Sequence, residues 1–364
     1  MPERTGPIFI VSAMGSGSTL IRLILDSHER IGIPQETGFM RAYQAHQFIP
    51  LKWSGRNWAR RMGWSREELD QELAAFYDRI FTRYTESQGK ARWGDKTPLH
   101  TWHVDGMARL YPEAQFIGML RHPGGSVGSN MTRFGHPFGR AVNHVERYDR
   151  EIARQAAKRP QRFVIVRYED LVLRPEPLLR ELLDWLGEPW SDKVLQHHEV
   201  QTAKSAGKLV VEGTNRIDDP IDVSRVAKWH GRMSELNRRS LANRVGRLCE
   251  FYGYDIHDPA VLAPLRDDGG LLIRGSDVAA RMEDFPDLKL DEKPEPGLAE
   301  RHYHPGRMQL HGIGEFVKKA PPPPDPPFHV RLFRVLPLSL RRSLHPAGRR
   351  MRRRVKRLRR RLRR

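Results

Sequence analysis

A single cysteine in 364 residues, Cys249, leaves no partner for an intrachain disulfide and excludes a cysteine-rich metal site. Long apolar runs are lacking too: nothing approaches the ~18 residues a membrane-spanning helix needs, so no span is expected. Pro2-Glu3-Arg4 leads toward the first apolar segment without an apolar leader, which makes the cytoplasm the expected location. Metal signatures are absent. There is no H-E-x-x-H and no paired cysteine, and the sixteen histidines are scattered, so no metal is expected to be required. No internal repeat is found. Acidic residues are missing from one region, 341–364, which holds 14 Lys/Arg. The net charge of +19 is thus concentrated at one end. The rest of the chain carries 49 basic and 44 acidic residues, the balance of a mildly basic globular protein.

What is present is an alternation of apolar strands and helices. Strands are expected at about 7–13, at Ile31-Gly32-Ile33 ending at Pro34, at 115–120 and at 162–166. Helices are expected at about 18–27, 124–133, 141–158, 175–186 and 223–252, the last broken near Ser234. In 175–186, Leu178, Leu179, Leu182, Leu183 and Leu186 recur at helical spacing. Residues 41–90 read as a mostly helical insert packed by Trp53, Trp58 and Trp64. This alternation predicts an α/β fold with a parallel sheet flanked by helices, and ligands at the carboxyl ends of its strands. That rule gathers the loops after residues 13, 34, 120 and 167 around one crevice. Three parts follow: a domain over 1–255, an irregular extension with a polyproline spacer over 256–327, and a basic helical tail over 328–364.

The richest chemistry lies in PIFIVSAMGSGSTLIRLILDS. Gly15-Ser16-Gly17-Ser18-Thr19 separates a buried strand from a helix start, where unpaired N–H groups and the helix dipole favour an anion. A plain turn capped by Ser18 or Thr19 is the alternative. The Walker pattern fails because Ser18, not Lys, precedes Thr19, and the dinucleotide pattern fails because Leu20 takes its third glycine position. Pro34-Gln35-Glu36-Thr37 places a carboxylate after the second strand, an exposed surface Glu being the bland alternative. Gly94-Asp95-Lys96-Thr97-Pro98 places a cation before a helix, with an Asp95–Arg salt bridge as its plain counterpart. Leu120-Arg121-His122-Pro123-Gly124-Gly125-Ser126 opens a second Gly/Ser-rich helix start, with Ser129 and Arg133 one turn apart; a forked guanidinium beside hydroxyls suits a phosphate. Tyr168-Glu169-Asp170 sits at another strand end. Two separate cradles imply a ligand with two separated phosphates.

In order and spacing, these segments from Pro7 to about residue 254 resemble the sulfotransferases that use PAPS (3′-phosphoadenosine 5′-phosphosulfate), closest to the bacterial and tyrosylprotein branch. The resemblance implies a P-loop NTPase-like fold and sulfuryl transfer from PAPS to a hydroxyl acceptor, giving PAP and a sulfate ester. It implies that Gly15, Ser16, Gly17, Ser18 and Thr19 cradle the 5′-phosphosulfate, that Glu36 is the catalytic base, and that Lys96 is the catalytic cation. It assigns Arg121, Ser129 and Arg133 to the 3′-phosphate, and Tyr168, Thr214, Lys228 and Trp229 to further cofactor contacts. One departure stands out: Gly15 occupies the position of the family's loop arginine, so Lys96 alone or Arg22 has to carry that charge. His100 and His103, beside Lys96, are rival bases.

Two other functions remain open at the level of sequence: a P-loop kinase of a small hydroxyl compound, and a catalytically silent nucleic-acid-binding protein acting through its tail. In that tail, Met351, Val355, Leu358 and Leu362 share one helix face among arginines. This pattern points to an anionic membrane surface through 328–364, giving a peripheral position at the inner membrane surface, with nucleic acid the lesser candidate.

Overall fold

The computed structural model describes residues 6–44, 62–205, 211–212, 215–216 and 218–294. The chain divides into two units, 1–303 and 304–364, and everything below concerns the first. The expectations for Trp53, Trp58, Thr214 and the basic tail fall outside the described residues.

Five strands, β1 (Ile8–Ser12), β2 (Ile31–Gly32), β3 (Arg92–Lys96), β4 (Gln115–Leu120) and β5 (Phe163–Arg167), run parallel in the order β2-β3-β1-β4-β5. The two-residue strands β6 (Val211–Glu212) and β7 (Asn215–Arg216) pair with each other. β8 (Ile273–Arg274) adds antiparallel to β5. Strands of a parallel sheet are buried on both faces and read as continuous apolar runs. β1, IFIVS, does so, and its residues alternate between two cores. Phe9 and Val11 join Phe116, Phe163 and Ile165 on one face, while Ile8 and Ile10 join Ile117, Val164 and Val166 on the other.

The helices are α1 (Ser18–Asp26), α2 (Arg66–Glu86), α3 (Val104–Leu110), α4 (Pro123–Phe134), α5 (Phe138–Ala157), α6 (Tyr168–Leu173), α7 (Pro175–Leu186), α8 (His197–Lys204), α9 (Glu235–Phe251) and α10 (Gly275–Asp284). α7 buries all five leucines of its stripe and ends at Gly187, in the left-handed conformation. Because β1 lies between β3 and β4, strand order reverses about it, and the crevice of an open α/β sheet forms there.

One strand was not expected, and three expectations are corrected. β3, RWGDK, is a fully buried strand although only Trp93 is strongly apolar. Its polar side chains are paired instead: Arg92 donates to the carbonyls of Gly6 and Leu186 and to Gln115. Trp64, expected to pack the insert, is 38% exposed just before α2, whose start is fixed by a Ser65–Glu68 capping box. Residues 223–234 form two short 3-10 turns, and the long helix begins only at Glu235, capped by Ser234. The stretch after 255 is not irregular throughout. It supplies β8 and α10, and buries Ile273, Val278, Phe285 and Leu290.

Candidate active site

The loop between β1 and α1 turns through Gly15 and Gly17, at φ 87° and 88°. A side chain at Gly17 would be strained there, and its Cβ would lie 2.4 Å from the Tyr168 ring. No side chain caps α1, so the capped turn is not what forms; the helix N-terminus opens on the crevice. The hydroxyls divide. Ser18 accepts from Ser12 Oγ at 2.9 Å and Ser16 shares a 3.3 Å hydrogen bond with Ser126, so both stiffen the loop. Thr19 faces Lys96, whose Nζ donates to its Oγ1 at 3.4 Å.

Lys96 ends β3 with its side chain 1% exposed, and its Nζ donates to Glu36 Oε1 at 2.6 Å. The Glu36 side chain is 49% exposed. A buried cation thus holds a carboxylate whose other face is open. The rival histidines are differently placed. His100 is buried, with Nδ1 2.8 Å from Asp95 Oδ1 and Nε2 accepting from the Met40 N–H. Burial, with His100 and Arg41 nearby, pushes His103 down to about 3, leaving it a weak base.

The second cradle forms between β4 and α4. Arg121 lies over the Tyr168 ring at 4.5 Å and donates to the carbonyls of Arg225 and Gly15. Ser129 faces the first loop, its Cβ 3.0 Å from where a Gly15 Cβ would be. Arg133 reaches the same place. Burial, then the charges of Arg121 and Arg225, hold its guanidinium below the ordinary arginine value. The Nε atoms of Arg121 and Arg133 are buried without a hydrogen-bond partner. Clustered, under-satisfied guanidinium groups are the donor set of a phosphate site. Tyr168, packed against both Gly17 and Arg121, stands between the two cradles.

Arg225 was not singled out from the sequence. It lies three residues before Lys228-Trp229, held by Asp219 and Asp222, and only the fold brings it to Arg121. Conversely, Trp229 is buried face-on against His122, with ring centroids 4.7 Å apart, and anchors its segment in the core. Lys228 is exposed, and no described contact joins it to either loop. Arg22 does not replace the missing loop arginine: it is 4% exposed and donates to the Ile33 carbonyl at 2.9 Å. Glu169 and Asp170 are structural. Glu169 accepts from His122 N and Tyr254 Oη, and Asp170 pairs with Arg167 and Arg174. Among the described residues, no group of His, Cys, Asp or Glu could hold a metal ion.

Residues 7–192, half of the chain, match the sulfotransferase family. The protein-tyrosine sulfotransferase 1 of Danio rerio is 30% identical over 262 residues, 69% of this chain and 72% of the relative. The protein-tyrosine sulfotransferase of Drosophila melanogaster is 28% identical over 68% of this chain, which spans about half of that relative's length, 51%. A solved sulfotransferase domain from the curacin biosynthetic pathway aligns with a TM-score of 0.49 at 21% identity, over 66% of this chain and 97% of that one. The kinase and silent-binder readings fall with the family match. The cytoplasmic location is also overturned, its peripheral variant at the inner membrane surface included. It rested only on the missing apolar segments, and the matching relatives are protein-tyrosine sulfotransferases, which are not cytoplasmic enzymes. No helix among the described residues is long and apolar enough to cross a membrane. The chain belongs to the sulfotransferase family, the enzymes that transfer a sulfuryl group from PAPS to a hydroxyl acceptor.

Proposed function

We propose that the protein sulfates the phenolic hydroxyl of tyrosine in a protein acceptor, with PAPS as donor and PAP as the second product. The observation that carries this reading is the 2.6 Å contact between buried Lys96 and half-open Glu36, beside the open N-terminus of α1. The acceptor oxygen attacks sulfur in line. Its proton passes to Glu36, and the bond from sulfur to the 5′-phosphate oxygen breaks. Lys96, Thr19 and the α1 N–H groups take up the charge that develops on the departing phosphate, where a single positioned donor is typically worth ~10²–10³ in rate. A phenol ionises near pH 10, well above a carboxylate, so Glu36 takes the proton within the transition state, not before it. Arg121, Ser129 and Arg133, with Arg225, hold the 3′-phosphate and so separate PAPS from ATP. The tyrosine acceptor is supported by the relatives' activity.

The test is transfer of ³⁵S from labelled PAPS to a tyrosine-containing protein or peptide, beside its Tyr→Phe counterpart. Label lost with Tyr→Phe is the expected result; equal label in both means a different acceptor. In parallel, PAP should raise the melting temperature of the protein, as a ligand selective for the native state does, and AMP, lacking the 3′-phosphate, should raise it far less. Equal shifts would remove the 3′-phosphate role from the arginines.

A further inference from the structure

We infer that Asp95, acting with His100 and Thr37, is the positioning device that sets the Glu36 carboxylate against Lys96. This rests on the reading of Glu36 as the base. Glu36 sits on the segment between β2 and the helical residues 39–44, which has no sheet hydrogen bonds to fix it. Three contacts tie it to the end of β3 instead. Thr37 Oγ1 donates to Asp95 Oδ2 at 2.7 Å, Gly38 N to Thr97 Oγ1 at 3.3 Å, and Met40 N to His100 Nε2 at 3.5 Å. Asp95 is fully buried and neighbours Lys96 in the strand. Its Oδ1 lies 2.8 Å from His100 Nδ1.

Burial alone would raise the Asp95 carboxyl, yet His100, Thr37 and Thr97 hold it below the usual range, so it stays ionised as a fixed acceptor. One side chain therefore fixes both partners of the 2.6 Å pair: Lys96 through the strand, Glu36 through Thr37. His100 completes the clamp from the 3-10 turn Pro98–His103 and packs edge-on against Phe39 at 5.1 Å. This also explains why a histidine beside the catalytic lysine is not itself the base. A buried ionic group with two structural partners is retained where it fixes geometry, since burial of the charge costs stability by itself.

The experiment is a double-mutant cycle on turnover of a tyrosine peptide, with PAP affinity as the check that the fold and the cradles survive. Thr37→Val keeps the side-chain volume and removes the donor. It should lower kcat about tenfold, since small misplacements of a reacting group are costly, with PAP affinity unchanged. Thr37→Ser, which restores the hydroxyl, should recover most of the loss. In a Glu36→Gln background, Thr37→Val should cost nothing further, because the group it positions is gone. Loss of PAP binding in Thr37→Val, or the same loss in both backgrounds, overturns the inference while leaving Glu36 as base. Full activity of Glu36→Gln overturns the base assignment and the inference with it. Should Thr37→Val not fold, Asp95→Asn in the two backgrounds is scored by the same rule.

Discussion

In the proposed mechanism, Glu36 and Lys96 take different parts because their exposure differs. Lys96, at 1%, is committed to two protein acceptors, Glu36 and Thr19, while half of the Glu36 side chain faces outward, where an acceptor proton can arrive. Glu36→Gln keeps the shape and removes the basicity. Turnover should fall about tenfold or more, toward the low end of what a positioned base supplies, and PAP affinity should hold. Steady-state kinetics beside a PAP titration checks this, and full activity would remove Glu36 from the mechanism. Gly15 carries the departure from the family pattern. At φ 87°, with Ser129 Cβ and the Ser126 carbonyl within 3.1 Å of a Cβ, the loop has no room for an arginine on this backbone. Gly15→Arg should therefore destabilise the fold by about 1–3 kcal/mol, read as a lower melting temperature, and should not raise turnover. A variant with equal stability and higher activity would show that the loop tolerates the family's residue.

At the scale of elements, the proposed site is built from strand ends and helix starts that bring their own charge. α1 supplies N–H groups, α4 supplies Ser129 and Arg133, and the 218–233 segment supplies Arg225, anchored by Trp229 on His122. Arg225 is already paired with Asp219 and Asp222, whereas burial and the charge of Arg121 hold the Arg133 guanidinium below its ordinary value, so an anion bound there relieves a cost carried by the free protein. Arg133→Met keeps much of the apolar contact and removes one charge. The free protein should melt at the same temperature or higher, and most of the PAP-induced rise should disappear. A normal PAP shift in Arg133→Met would take Arg133 out of the 3′-phosphate site.

At the scale of the whole molecule, residues 122, 169 and 254, far apart in the chain, meet beneath the second cradle. Glu169, in the first turn of α6, accepts from His122 N and Tyr254 Oη, and burial pushes its carboxyl up to about 7, against the pull of Arg121. An unfolded glutamate ionises near 4.3, so the folded state holds the extra proton between these values. Stability from this group is then fully present below about pH 4, declines as pH rises, and is lost once pH passes about 7. Melting temperatures from pH 5 to 8 should fall less steeply in Glu169→Gln than in the parent. Parallel curves would mean that Glu169 does not carry the dependence.

The apolar runs of β1, β4 and β5 and the leucine stripe of α7 were legible from sequence, because burial on both faces, or on one helical stripe, leaves a periodic signature. So were the two Gly/Ser helix starts, Glu36, Lys96, Arg121 and Arg133, whose residue types are set by local chemistry. β3 was not legible. Its burial depends on partners for Arg92, Asp95 and Lys96 that lie far away in the chain. The same reason hid Arg225, the core position of Trp229, and the clamp of Asp95 and His100 on Thr37. Local sequence determines which side chains can donate, accept or bear charge. The tertiary structure decides which of them are used up holding the fold and which are left facing the crevice, because pairing across the sheet is a long-range contact that no local pattern encodes.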